Sequence, residues 1–230
     1  MGSNGYRFCR IVALALLCSG SQAPFEPEAG QPGKDVVWVP TPPEIVEKML
    51  DMADVTPQDF VMDLGSGDGR NVIAAARRGA RALGVEYNAD LVELSRKLAK
   101  DAGVSDRARF VQGDMYEADV SQATVLALFL KPENLDRMQD KLLAMRPGTR
   151  IVLNTFPVTG WGPDVTETMG PPCKTWCTAM LVVVPARVAG LWQAGETEIH
   201  LRQDYQVVRG TLGTQKVLGR LRGDKISLTA

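Results

Sequence analysis

Between Phe60 and Phe156, short apolar runs alternate with segments of helical period, and this alternation constrains the fold more than any other feature of the chain. FVMDL is a compact apolar run, and NVIAAARRGA after it is a helix ended by Gly79. ALGVEY is a second run. The helix ADLVELSRKLAKDAG follows, with Asn88 available to cap it and Leu91, Leu94 and Leu98 on one face. RFVQGD and TVLALFL come next, then PENLDRMQDKLLAM with Pro132 in the favoured first turn, then RIVLNTF. Strands separated by whole helices run parallel, and strands apolar along their length need helices on both faces. The prediction is an α/β fold with a mostly parallel sheet.

The flanks read differently. A helix is predicted from Pro43, with Ile45, Val46, Met49 and Leu50 at helical spacing, ending before Thr56-Pro57. PVTGWGPDVTETMGPPCKTW (157–176) has many turn residues and no period, so it reads as a long loop before the apolar strand AMLVVVPARV. From about Leu191 the pattern has period two, with Gly210, Gly213, Gly219 and Gly223 as turn points. This predicts an antiparallel meander that closes or extends the sheet, with no helix. The domain organisation expected is 1–35 as a leader and linker, 36–190 as the α/β domain, and 191–230 as a β-rich C-terminal extension.

The leader has its own signature. Arg7 and Arg10 precede or open the apolar run IVALALLCSG, and a polar stretch rich in Pro and Gly follows. That order matches an export or anchoring signal and allows membrane association, although the run is too short to span a bilayer comfortably. A disordered leader is the alternative. Cys9 and Cys18 fall in this segment. Cys173 and Cys177 are spaced for a disulfide after export, but two partly buried free thiols are the reading favoured. His200, the only histidine, sits in a strand pattern, and no metal site is expected. A formal net charge of -1 gives no general reason to expect a nucleic-acid partner.

The chemistry concentrates at VMDLGSGDGR, the first strand-to-helix loop. In an open parallel sheet, ligands bind at the carboxyl ends of strands near the switch in strand order. A dinucleotide loop would carry G-x-G-x-x-G and leave the helix N-terminus free for pyrophosphate. Here Gly65, Gly67 and Gly69 alternate with Ser66 and Asp68, and Asp63 precedes them. Two carboxylates would repel a pyrophosphate. They suit a ligand with a cationic amino-acid end and a sulfonium, such as S-adenosylmethionine. Glu86 closes the second strand, where an acid bonds ribose hydroxyls. Asp114 closes the third, placed to accept from an adenine amino group while Met115 packs on the ring. Each of these residues alone could be a turn or a solvated strand end; their order at successive strand ends is what carries weight.

Asp63-Leu64-Gly65-Ser66-Gly67-Asp68-Gly69, Gly84-Val85-Glu86, Gly113-Asp114 and Arg146-Pro147-Gly148 together resemble a class I S-adenosylmethionine-dependent methyltransferase. More narrowly, VPTPPEIVEKML, DLGSGDGRNVIAAA and GVEYNADLV are similar to bacterial methyltransferase-domain proteins and to the lysine methyltransferases of the ATP synthase c-subunit. The resemblance implies a Rossmann-like sheet, S-adenosyl-L-methionine as cofactor, and a methyl acceptor that is a protein lysine. It places Pro40 and Thr41 over the ligand, where an ordinary helix cap is the competing reading. Leu130-Lys131-Pro132 departs from the Asn/Asp-Pro-Pro motif of many amino-methylating relatives, which argues against a nucleobase amine as acceptor. Asn154, Phe156 and Trp161 are candidates for an acceptor channel, core packing being the alternative for each. No catalytic residue is identified. Two other classes remain open: a non-catalytic S-adenosylmethionine-binding protein, and a nicotinamide-dependent oxidoreductase, against which the glycine spacing and Asp63 speak. Export would separate the protein from cytosolic cofactor, so leader and site pull in opposite directions.

Overall fold

The computed structural model describes residues 25–229. The predicted leader signal, with Cys9 and Cys18, lies outside the described residues. Among the described residues, no helix is long and apolar enough to cross a membrane.

A first sheet has seven strands in the order β3-β2-β1-β4-β5-β7-β6. Its parallel core is β1 (Phe60–Leu64), β2 (Arg81–Glu86), β3 (Ala108–Gln112), β4 (Val125–Leu128) and β5 (Arg150–Asn154). On one face lie α1 (Pro43–Met52), α2 (Arg70–Arg77) and α3 (Ala89–Asp101), which share an apolar cluster with Val61, Val125 and Val152. On the other lie α4 (Pro132–Arg137) and α5 (Gln139–Leu143), packed through Leu135, Met138 and Leu142 onto Met62, Leu126 and Ile151. Successive strand residues point to opposite faces, so each uniformly apolar strand feeds both clusters. The expected helices on both faces follow from that composition. Asn88 caps α3 as its position implied, accepting from the amides of Asp90 and Leu91.

Three features differ from expectation. The single helix expected over 132–145 is two short helices that meet at the buried Met138. Inside the long loop, β6 (Val165–Thr168) pairs antiparallel with β7 (Thr178–Val183), which itself runs antiparallel to β5. All four residues of β6 are exposed and two are threonines, so the strand carries no apolar signature. Cys173 and Cys177 form a disulfide across the turn between these strands. The favoured free-thiol reading is therefore corrected: the β6–β7 hairpin brings the two sulfurs together, a proximity that four residues of spacing alone do not impose.

The tail forms a sheet of its own instead of adding to the first. Strands β8 (Gly190–Ala194), β9 (Thr197–Asp204), β10 (Val207–Leu212), β11 (Gln215–Arg222) and β12 (Lys225–Thr229) make an antiparallel meander in sequence order. It docks through the β9–β10 turn and through the end of β11 with the turn after it. Tyr205 stacks on the buried Trp161 at 5.6 Å between ring centroids, Arg220 pairs with Asp164 at 2.8 Å, and the Ala186 amide donates to the Gly223 carbonyl.

Candidate functional site

In the order β3-β2-β1-β4-β5, the chain leaves β1 toward β2 on one side and returns from β3 to β4 on the other. The carboxyl ends of β1 and β4 therefore diverge at a switch point, where a crevice is expected. A cavity opens there. Its floor is the glycine loop after β1, one side is built from the ends of β2 and β3, and the other from Phe129 after β4 and Phe156 after β5.

Of the residues singled out in the sequence, Asp63, Gly65, Ser66, Gly67, Asp68, Glu86, Asp114 and Met115 all line this cavity. Gly69 does not. It stands behind the cavity at the N-cap of α2, with φ 80°, and an added Cβ would lie 2.5 Å from the Phe110 ring. Gly69 thus serves the turn and the packing under it. Gly67 has φ 55° and lies against Trp38, whose indole nitrogen would be 2.6 Å from a Cβ added there. The backbone needs glycine at that point both for its conformation and for its contact.

The four carboxylates singled out in the sequence have different surroundings. Asp63 is buried and accepts from Asn71 Nδ2 at 3.0 Å. Burial pushes its carboxyl up to about 8; the Asn71 bond opposes this, while Glu86 and Asp68 add to it. Glu86 accepts from the Gly67 amide with one oxygen and from the Asn88 amide with the other, each at 2.9 Å, so it braces the glycine loop against the start of α3. Asp68 is held by Arg70, which also donates to the Thr41 carbonyl. Asp114 accepts from Lys34 Nζ and from the Tyr116 amide. The hydrogen bond from Lys34 holds the Asp114 carboxyl below the usual range, with the Tyr116 amide acting the same way.

The segment Gln31–Thr41 closes the cavity from above, so both Pro40 and Thr41 line it. Lys34, Trp38, Tyr87, Arg70 and Phe129 were not singled out in the sequence. Lys34 and Asp114 are eighty residues apart, and no local pattern joins them. Phe129 had a usable signal, since it lies near the end of the apolar run TVLALFL, just past β4, at the same sheet edge as Asp63 and Glu86. Of the three acceptor-channel candidates only Phe156 lines the cavity. Asn154 is buried with its Nδ2 unpartnered, and Trp161 is in the core against Tyr205.

Five acids line the cavity, Asp35 with the four above, against three basic residues, Lys34, Arg70 and Lys131, and Lys34 and Arg70 are paired with Asp114 and Asp68. Asn71 Oδ1 is buried and has no partner. A net acidic lining with an unpartnered acceptor suits a donor-rich ligand that carries positive charge, as S-adenosylmethionine does, better than a pyrophosphate.

A family model described as the ANTKMT methyltransferase domain matches residues 63–165. A protein-lysine N-methyltransferase of Saccharolobus islandicus is 40% identical over 131 residues, which is 56% of this chain and 81% of that protein. The chain belongs to the S-adenosylmethionine-dependent methyltransferases. A mouse lysine N-methyltransferase of the ATP synthase c-subunit is 39% identical over 48% of this chain, which spans 45% of that relative. Among solved structures, an RNA methyltransferase from Salinibacter ruber in complex with S-adenosyl-L-homocysteine is 43% identical. It superimposes with a TM-score of 0.61 over 65% of this chain and 96% of its own. The methyltransferase uses S-adenosylmethionine, and the nicotinamide reading is set aside.

Proposed function

We propose that this methyltransferase modifies the side-chain amine of a protein lysine. The observation that carries the reading is the two-part cavity: a carboxylate-lined half at the ends of β1, β2 and β3 continues into an aromatic wall of Phe129, Phe156 and Trp176. The first half suits the cofactor and the second suits an alkyl chain that ends in an amine. Relatives named for lysine methylation of proteins support the same acceptor.

When bound, S-adenosylmethionine supplies a sulfonium-activated methyl group that an amine lone pair can displace. Asp63 and Asp68 lie where they would hold the cationic amino-acid end. Glu86 would accept from ribose hydroxyls, since each of its oxygens keeps a second lone pair beyond its backbone amide. Asp114 would accept from the adenine amino group, with Met115 on the ring face. Gly65, Ser66 and Gly67 would let the backbone come close. Exclusion of water from the closed cavity favours entry of the amine in its neutral form, its proton left in bulk water, so the lone pair is free to attack. Alignment and exclusion of water by the 31–41 strap and the aromatic wall then carry the rate, and no residue needs to act as a general base.

The transferase domain is taken as residues 36–190 and the β-rich extension as 191–230. Among the described residues, none of 190–229 lines the cavity, whereas Gln31–Asp35 do, so the linker contributes to the site. The basic-then-apolar order of the leader supports export or membrane attachment, which fractionation of cells expressing the tagged chain tests.

The Salinibacter relative, named for RNA, favours a second reading with an RNA acceptor. Incubation with labelled cofactor and lysate, followed by separate protease and nuclease digestion, separates the two. Label released by protease alone supports the lysine reading. Label released by nuclease alone overturns it.

A further inference from the structure

The acceptor half of the cavity is built partly from the turn between β6 and β7, which a disulfide closes. Phe129 and Phe156 are anchored at the ends of β4 and β5, and their rings stack at 6.3 Å and 14°. Trp176 completes the wall, tilted across both rings at 5.6 and 5.7 Å. It sits in the turn between β6 and β7, is 39% exposed, and has φ 59°. A bulky residue rarely adopts that left-handed conformation, and it persists only where surrounding structure dictates it. Two constraints flank Trp176. The Met169 amide donates to the Cys177 carbonyl at 2.8 Å, closing the β6–β7 hairpin. The Cys173–Cys177 disulfide closes a ring of five residues that contains Trp176. Both cysteines also pack against the apolar cluster beneath α1 and α2, so the ring is moored to the body of the domain.

Resting on the lysine-acceptor reading above, we propose that the Cys173–Cys177 disulfide is a positioning element of the acceptor site. It holds Trp176 against Phe129 and Phe156 as the wall that receives a lysine side chain, and its reduction releases that wall. The four methylenes of the acceptor pack on the ring faces, and the amine or its methylated ammonium product lies over them. Release proceeds by thiol–disulfide exchange with a dithiol. One thiolate attacks a cysteine sulfur, breaking the S–S bond and forming a mixed disulfide. That attack expels the other cysteine as a thiolate; the second thiolate of the same molecule then attacks the dithiol sulfur of the mixed disulfide and expels the first cysteine, leaving two protein thiols and an oxidised dithiol, with two protons transferred. The hydrogen bonds of Asp63, Asp68, Glu86 and Asp114 all go to residues outside this ring, so methyl-donor binding should be unchanged by its opening.

The test uses the full chain, oxidised or treated with dithiothreitol, beside the Cys173→Ser/Cys177→Ser, Trp176→Ala and Trp176→Phe variants. S-adenosylhomocysteine affinity is measured by calorimetry. Transfer is measured as label entering methylated lysine across a range of lysate protein, which separates apparent KM from kcat. The expected result is unchanged product affinity in all forms. Apparent KM for the acceptor should rise about tenfold, the size of one lost aromatic contact, on reduction, in the double serine variant and in Trp176→Ala. Trp176→Phe should recover most of the loss, and the dithiol should have no effect on the double serine variant. Equal acceptor kinetics in oxidised and reduced protein overturn the proposal, and so does a loss of product affinity that accounts for the whole effect. A readout free of any acceptor is the rate of Trp176 oxidation by N-bromosuccinimide, mapped by peptide mass. It should rise on reduction, and an unchanged rate also overturns the proposal. If the oxidised chain binds S-adenosylhomocysteine but labels no lysine while Trp176 reactivity still responds to dithiol, the lysine reading fails and the disulfide's hold on Trp176 stands.

Discussion

Replacing Asp63 by Asn should change how stability depends on pH in the cofactor-free protein. Asp63 is buried, accepts one hydrogen bond from Asn71, and has Glu86 and Asp68 nearby, so its carboxyl titrates at about 8 in the folded state against an ordinary 3.8. Between these values the folded state holds a proton that the unfolded chain has lost. Stability therefore falls as pH rises through this window; below it the group contributes no pH dependence, and above it the full cost of an ionised buried carboxylate is present. One such proton removes about 1.4 kcal/mol per pH unit, so raising pH from about 5.5 to about 7.5 costs between about 2 and 3 kcal/mol at this site. Asparagine keeps an oxygen for Asn71 and cannot ionise. Urea unfolding of wild type and Asp63→Asn at a series of pH values isolates the effect, because every other group titrates in both proteins. The wild-type curve should fall relative to the variant by that amount. Parallel curves would refute the burial argument.

Other outcomes follow from the same geometry. Glu86→Gln should weaken S-adenosylhomocysteine binding by about 1.5–3 kcal/mol if charge-assisted bonds to the ribose are lost. Glu86→Gln leaves one of the Gly67 and Asn88 amides without an acceptor, and Glu86→Ala leaves both, so the glycine loop should loosen further in the alanine variant; equal affinity in Glu86→Gln and wild type by calorimetry counts against the ribose assignment. Gly84→Ala would put a Cβ 2.5 Å from Ser66 Oγ and 2.7 Å from the Phe110 ring, so chemical denaturation should show a loss of about 1–3 kcal/mol from overpacking. Trp161→Ala should cost about 3–5 kcal/mol of stability while the folded fraction binds S-adenosylhomocysteine normally, since Trp161 is in the core and not in the cavity. An affinity loss in that folded fraction would place Trp161 in the site after all.

The parts of the fold that were legible in sequence are those in which one local pattern decides the outcome. The runs FVMDL and TVLALFL are apolar on both faces, save for Asp63 and the leading Thr124, and a strand covered on both sides is the structure that satisfies them. Asn88 stands directly before an amphipathic stretch, and its cap follows from its side chain. The glycine loop and the acids at three successive strand ends were legible because strand order turns linear spacing into a shared edge. What was missed depends on contacts between distant segments. β6 is a polar edge strand held by pairing with β7 and by the Lys48–Glu167 ion pair to α1, both contacts between distant or non-local segments. The disulfide depends on the hairpin that β6 makes possible. Lys34 and Trp38 reach the cavity only because the strap folds back over the loop, and Trp161 looks like a loop aromatic until Tyr205 arrives from the second sheet to cover it.

The most direct test of the acceptor is complete acid hydrolysis of lysate protein labelled by the purified chain with methyl-labelled S-adenosylmethionine, followed by amino-acid separation. The label should co-migrate with Nε-methylated lysine and be absent when S-adenosylhomocysteine fills the cavity. Label found in methylated nucleosides, or in amino acids other than lysine, would contradict it.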